Sequence, residues 1–241
     1  MSSNITLLTY THSNCSDVWP LYFKSLYKYS KFRYHKCLSN TYLDYAREVD
    51  TVIYKDEENY SESFIRALDS VKTEFLLYMQ EDFILYGYVE SSDMARYVRI
   101  LQESDLSFMR LVKCGPVSEL HHKDDTYFIT NPGSSHTSLY CFSLQPTIWK
   151  VKDLKRLHGM VRSSRFGEFD SYMDCMNGLG MNGLYAYNSE PKRGGSHYDS
   201  HTFPAVLSAI IKGRWNLTEY NKELVPLLVS EGIDPHVRGI H

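Results

Sequence analysis

The segment Phe75-Leu-Leu-Tyr-Met-Gln-Glu-Asp-Phe-Ile-Leu constrains this chain more than any other stretch. Its unbroken apolar start reads as a strand buried on both faces, and such strands belong to parallel sheets covered by helices. Glu81 and Asp82 then interrupt the run. Charged groups are costly to bury, so two adjacent carboxylates mark the place where the strand leaves the sheet. In open α/β sheets, ligands bind at the carboxyl edge of the strands. A carboxylate there can hold a divalent cation, which in turn can hold a diphosphate. The plainer alternative is an acidic strand end that faces water.

The flanking sequence fits an α/β sheet. Strands are predicted over residues 5–10, 32–38, 51–54 and 106–112. Helices are predicted over 18–27, 61–71 and 89–103, the second with Phe64, Ile65, Leu68 and Val71 on one face. This alternation predicts a mainly parallel central sheet flanked by helices. Residues 114–146 are more polar and suggest shorter antiparallel strands. Helices are expected to begin at Trp149 and Phe169, a loop to cover 194–201, and an amphipathic helix to run over 203–212. With no repeat or linker, a single domain over 1–241 is expected.

Composition narrows the function. Twenty-six basic and 29 acidic residues give a net charge of -3, without the positive field that nucleic-acid binding needs. The basic residues between Lys24 and Arg33, interleaved with aromatics, read as a solvated helix face, with an RNA or lipid surface as the alternative. Five cysteines, an odd number without a C-x-x-C pair, argue against disulfides and zinc knuckles. No apolar run approaches the ~18 residues that span a bilayer. A soluble, cytoplasmic protein is expected. The sequence lacks a G-x-x-x-x-G-K-[ST] loop, a G-x-G-x-x-G turn after the first strand and a G-x-S-x-G elbow. P-loop, dinucleotide and α/β-hydrolase chemistries are therefore disfavoured. His121-His122 lacks zinc-protease spacing and reads as a loop.

Taken together, these segments resemble the GT-A-type glycosyltransferases, whose fold is a Rossmann-type nucleotide-binding sandwich with an acidic D-x-D motif. Gln80-Glu81-Asp82 stands where that motif would be, with Gln80 in place of its first carboxylate. The resemblance implies that Asp82 holds Mn²⁺ or Mg²⁺ and that Glu81 contacts the donor. It also implies that Thr9, Tyr10 and Thr11 line the base pocket, with Asp56 and Arg66 as further nucleotide contacts. Residues 145–170 resemble the acceptor-side half of bacterial and viral sugar transferases, with Trp149 toward the acceptor. Gly194-Gly-Ser-His197 resembles a late loop whose histidine completes the metal site. The likeness runs from residue 5 to about 215, dividing the chain into a nucleotide-sugar half (1–113) and an acceptor half (114–241).

An inverting transfer needs a general base for the acceptor hydroxyl. Glu168 is the favoured base, and Asp170 serves as a second candidate, a helix cap or an acceptor contact. The expected donor is a nucleotide sugar, UDP-linked by preference, and the expected acceptor a glycan or glycoprotein. Several residues carry ordinary readings as well. Arg66 can pair with Asp69 or Glu62 on its own helix, Trp149 can anchor the core, and Lys192 and Arg193 can be exposed turn residues rather than a phosphate clamp. Two other functions stay open. A sugar nucleotidyltransferase would want a glycine-rich, basic loop after the first strand, and Thr11-His-Ser-Asn-Cys-Ser-Asp has neither glycine nor lysine. A non-catalytic binding protein derived from a transferase fits Gln80.

Overall fold

The computed structural model describes residues 5–43, 49–113, 127–130, 142–161, 169–186, 191–193 and 197–241, with β7 and the first two residues of α5 described by backbone alone. The strands are β1 (Ile5–Tyr10), β2 (Tyr34–Ser39), β3 (Asp50–Ile53), β4 (Phe75–Gln80), β5 (Phe83–Leu85), β6 (Phe108–Arg110), β7 (Tyr127–Thr130), β8 (Thr147–Lys150), β9 (Gly183–Ala186), β10 (Lys192–Arg193), β11 (His197–Tyr198), β12 (Ala205–Leu207), β13 (Ile210–Ile211) and β14 (Arg214–Trp215). The helices are α1 (Trp19–Tyr29), α2 (Tyr60–Ser70), α3 (Ser91–Gln102), α4 (Val151–Met160), α5 (Phe169–Gly178), α6 (Leu217–Ser230) and α7 (Pro235–Arg238).

Among the described residues, eight strands form the central sheet in the order β3-β2-β1-β4-β8-β6-β9-β7. Six point the same way; β8 and β7 run against them. The sheet is thus mainly parallel, as the sequence predicts. Alternation along each strand divides two cores. Leu7, Phe75 and Leu77 pack with residues of α1, α3 and α6 on one face, while Leu8, Leu76 and Tyr78 pack with α2, α4 and α5 on the other. Right-handed crossovers explain this. The chain moves outward from β1 through α1 to β2, then back from β3 through α2 to β4, so the two helices cover opposite faces.

At β9 the sheet depends on a glycine. Gly183 faces Phe108 across the β6–β9 pair, and a Cβ there would meet the ring at 2.4 Å. Phe108 in turn lies 4.7 Å from the Trp149 ring.

Two expected elements differ. Trp149 lies inside β8, bonded on both sides by β4 and β6, and the helix begins two residues later at Val151. Residues 203–212 form β12 and β13 instead of a helix. The three- and four-residue spacing of Phe203, Val206, Leu207 and Ile210 imitates a helix, but β5 offers β12 an antiparallel partner. Positive φ at Ser208 and Lys212 then turns the chain sharply. Tertiary pairing overrides local periodicity here.

Candidate functional site

The strand order reverses between β1 and β4, where a chain of this topology opens a crevice at the carboxyl edge. Both strands end there, with Tyr10 opposite Gln80. Glu81 and Asp82 form the turn that follows β4, and the Asp82 carbonyl accepts a hydrogen bond from Ala209 N at 2.9 Å. Glu81 is 8% exposed. Burial raises its carboxyl above the usual range, countered by hydrogen bonds that include Cys15 and Thr11. Thr11 is itself held by Trp19, whose Nε1 donates to Thr11 Oγ1 at 2.8 Å.

Asp82 is the unusual member. Its Oδ1 is buried with no hydrogen-bond partner among the described residues. Burial first, and the Glu81 charge second, push its carboxyl up to about 8. An unsatisfied buried carboxylate oxygen beside another carboxylate is costly unless protonated or met by a cation.

A second cluster lies along the same edge toward β3. Tyr10 and Tyr54 stack at 5.7 Å and 14°. The Tyr54 hydroxyl is 3.2 Å from both the Tyr10 hydroxyl and the Thr11 carbonyl, donating toward each. Tyr60 meets Tyr10 edge-on. Beside these rings, Asn40 Nδ2 donates to Asp56 Oδ1 at 3.1 Å, and His12 Nε2 lies 3.2 Å from the same oxygen. Asn40 Oδ1 accepts from Ser13 N at 2.8 Å, tying the β2 end to the loop after β1. Tyr54 and Tyr60 are buried, and half-buried Tyr10 in front of them, beside the exposed Asp56 carboxylate, suits a base and a ribose.

Of the residues singled out in the sequence, Tyr10, Thr11, Asp56, Glu81 and Asp82 gather at this edge. Thr9 does not: strand alternation turns it into the α1 core, fully buried, where its hydroxyl bonds Tyr22 Oη at 2.7 Å and His35 Nε2 at 2.9 Å. Arg66 reaches the β3 end but is bound to the Ile53 carbonyl and to Glu58, at 2.9 and 2.6 Å, rather than to Asp69 or Glu62. Trp149 is 2% exposed and packs on Phe108 and Phe142, a core anchor with no face toward an acceptor. Glu168 and the side chain of Asp170 lie outside the described residues.

His197 sits on β11 opposite Arg193. Its Nδ1 is buried without a hydrogen-bond partner among the described residues, and burial lowers its pKa, against an opposing pull from Glu219. Glu219 bonds Asn216, which holds the Ser208 carbonyl and, through its main chain, Ala209. A chain of hydrogen bonds therefore runs from Glu219, whose charge acts on His197, to the Asp82 turn. Arg193 is engaged by Asp199 and Glu223 at 2.9 Å each. It is no open phosphate clamp.

A divalent cation fits this turn only as a shared ligand. Among the described residues, no group of three or more His, Cys, Asp or Glu side chains is placed to hold an ion. Mg²⁺-type ions, however, are commonly bound by one or two carboxylates plus substrate phosphates, and the orphaned Asp82 Oδ1 supplies one such oxygen.

No protein-family model matches the sequence. No curated protein matches it either. Solved structures similar to this chain include the bifunctional IspDF from Campylobacter jejuni, at 15% identity and a TM-score of 0.46, covering 83% of this chain and 52% of that one. A nucleotidyl transferase from Methanothermobacter thermautotroptrophicus is similar at 12% identity and a TM-score of 0.48, over 79% and 89% of the two chains. The mannosyltransferase PcManGT from Pyrobaculum calidifontis, in complex with GDP-Man and Mn²⁺, is similar at 11% identity and a TM-score of 0.44, over 79% and 58%. The chain thus spans about half the length of IspDF. At such identities the likeness concerns the layout of sheet and helices alone. No helix among the described residues is long and apolar enough to cross a membrane.

His12, Asn40 and Cys15 escape the sequence reading, although each lies a few residues after a strand end. In a parallel sheet that position alone brings residues to the ligand edge.

Proposed function

We propose that this chain transfers a sugar from a nucleoside diphosphate donor to an acceptor hydroxyl. The supporting observation is the buried, unsatisfied Asp82 Oδ1 at the switch point of a mainly parallel sheet. When bound, Mn²⁺ or Mg²⁺ would neutralise charge on the leaving diphosphate. Asp82 would hold the ion together with the donor's phosphate oxygens, and His197 is the further ligand proposed. Glu81, hydrogen-bonded by Cys15 and Thr11, would contact the donor sugar or ribose. Tyr10, backed by the buried Tyr54 ring, would carry the base, Asp56 the ribose, and Arg66 is kept as an outlying nucleotide contact. The segment 1–113 would bind donor and 114–241 acceptor.

In an inverting transfer, Glu168 takes the hydroxyl proton as the acceptor oxygen attacks the anomeric carbon and the diphosphate leaves. Asp170 is the reserve base. Glu168→Gln should then retain nucleotide binding and lose transfer. Wild-type turnover by that variant would remove Glu168 from the role.

The test is a melting-temperature panel of UDP, GDP, CDP, ADP and dTDP and the five matching triphosphates, with and without Mn²⁺. A ligand at ~100 times its Kd stabilises a fold by ~2.7 kcal/mol. A metal-dependent shift with one diphosphate, UDP by preference, supports the transferase. A shift confined to a nucleoside triphosphate would favour nucleotidyl transfer, although the loop after β1 lacks the glycine and lysine suited to that chemistry. No shift with any nucleotide would favour a non-catalytic binding protein.

A further inference from the structure

A basic face lies at the end of α1 opposite the candidate site. Between Val18 and Leu43 the chain carries Lys24, Lys28, Lys31, Arg33 and Lys36 and no carboxylate, in a protein of net charge -3. Two of these cations are neutralised: Lys24 by Glu231 at 2.6 Å, and Lys36 by Asp50. Lys28, Lys31 and Arg33 are exposed and have no ion pair among the described residues. Lys28 Nζ stands 4.8 Å from the Tyr29 ring centre, and the Arg33 guanidinium 5.6 Å from that of Tyr34.

Exposed rings surround these charges. Tyr27 is 51% exposed, Tyr34 42% and Tyr88 70%. Tyr88 packs edge-on against Tyr29, and Val89 N donates to the Tyr29 carbonyl, so the β5–α3 connection is fastened to the end of α1. Glu231, Glu90 and Asp50 are nearby carboxylates; the first is paired with Lys24, the second caps α3 through Ser92, and the third is paired with Lys36. The face has a definite position. α1 leaves the carboxyl edge after β1 and returns to the amino edge, where Tyr34 pairs with Thr6. One sheet length, ~20 Å, therefore separates it from Asp82.

We propose that this face docks the protein on an anionic phospholipid bilayer. Tyrosine is a side chain of the membrane–water interface, and clustered Lys and Arg are drawn to anionic headgroups. The two occur here on one helix end and its adjoining loops, where they leave the candidate site facing away from the lipid. Nucleic acid is the less suited partner, because the rest of the chain carries excess negative charge.

The experiment is co-sedimentation of the full chain with vesicles of phosphatidylcholine alone and with 30% phosphatidylserine, at low and high salt. Binding is expected only to the anionic vesicles and is released by salt. Each surface cation contributes roughly fivefold to partitioning, so K28E/R33E with K31E should weaken it at least ~100-fold. A control of equal charge change on other exposed positions, K152E with R156E and K222E, should bind as wild type. Melting curves establish that each variant is folded. Absent binding, equal binding to neutral vesicles, or equal loss in the control overturns the proposal. So does preferential capture of a single-stranded oligonucleotide that competes the vesicles away.

Discussion

The main-chain carbonyl of Asp82 is bonded to the amide of Ala209, which joins the acidic turn after β4 to the sharp turn between β12 and β13. Asn216, fully buried, holds the other side of that turn through the Ser208 and Ala209 main chain. The backbone of the acidic turn is therefore tied to two distant segments of the chain. That fixed turn carries the Asp82 Oδ1, which is buried without a hydrogen-bond partner among the described residues.

Asp82→Asn tests that account. The Asp82 carboxyl titrates at about 8 in the fold against 3.8 ordinarily, so the folded chain retains a proton that the unfolded chain releases. Its contribution is complete below 3.8 and is lost as pH rises toward 8. Without metal, Asp82→Asn should therefore gain stability over wild type as pH rises from 5 to 8, on the order of a few kcal/mol. With Mn²⁺ and the cognate diphosphate the order should reverse, because the amide is a poor ligand. Urea denaturation at pH 5 and pH 8, with and without both ligands, reads both effects. Identical pH dependence in the two proteins would refute the buried charge.

Tyr10→Ala probes the ring pair. A base resting on Tyr10, which Tyr54 backs, gains stacking energy of ~1–3 kcal/mol by comparison with other nucleotide sites. The variant should lose about tenfold or more in affinity for every diphosphate that binds, while still requiring metal. Titration calorimetry would separate this from Asp56→Ala, which should weaken binding through the ribose. Unchanged affinity in Tyr10→Ala would place the base elsewhere.

Much of the fold was legible because β1, β4 and α2 each carry a pattern that their packing honours. The Glu81–Asp82 break in an apolar run marked the carboxyl end of β4 for the same reason: charge can leave a buried strand only at its end. Thr9 was misleading because the run Thr9-Tyr10-Thr11 looks alike in sequence, yet Thr9 lies inside β1, bonded to Tyr22 of α1, whereas Thr11 lies past the end of the strand. Trp149 misled in another way. A tryptophan before a helical pattern looks like a helix start, and only pairing with β4 and β6 reveals a strand. Asn40 and His12 meet across two loops, a contact no local pattern encodes.

Trp149 makes the third prediction. Truncating a buried aromatic costs ~3–5 kcal/mol, and this ring supports both Phe108 and Phe142. Trp149→Ala should fall in that range by chemical denaturation. Trp149→Phe should lose less and leave nucleotide-induced melting shifts unchanged. A stable Trp149→Ala with impaired acceptor use would return this residue to the acceptor side.

His158 sets an acid limit. It is 2% exposed, stacked on Phe64 at 4.2 Å and 7°, and its Nδ1 lies 3.1 Å from the Tyr172 hydroxyl, which also meets Ser61 Oγ at 3.1 Å. Burial lowers its pKa from 6.5 to about 3. The folded protein thus keeps the ring neutral while the unfolded chain protonates it. The stability involved is complete above 6.5 and is lost as pH falls toward 3, on the order of a few kcal/mol across that window. His158→Phe preserves a flat ring against Phe64 and leaves Tyr172 its Ser61 partner. It should cost ~1 kcal/mol at pH 7 for the lost hydrogen bond and move the acid-unfolding midpoint to lower pH. An acid midpoint that rises or stays fixed would show that His158 is not among the groups whose protonation unfolds the protein.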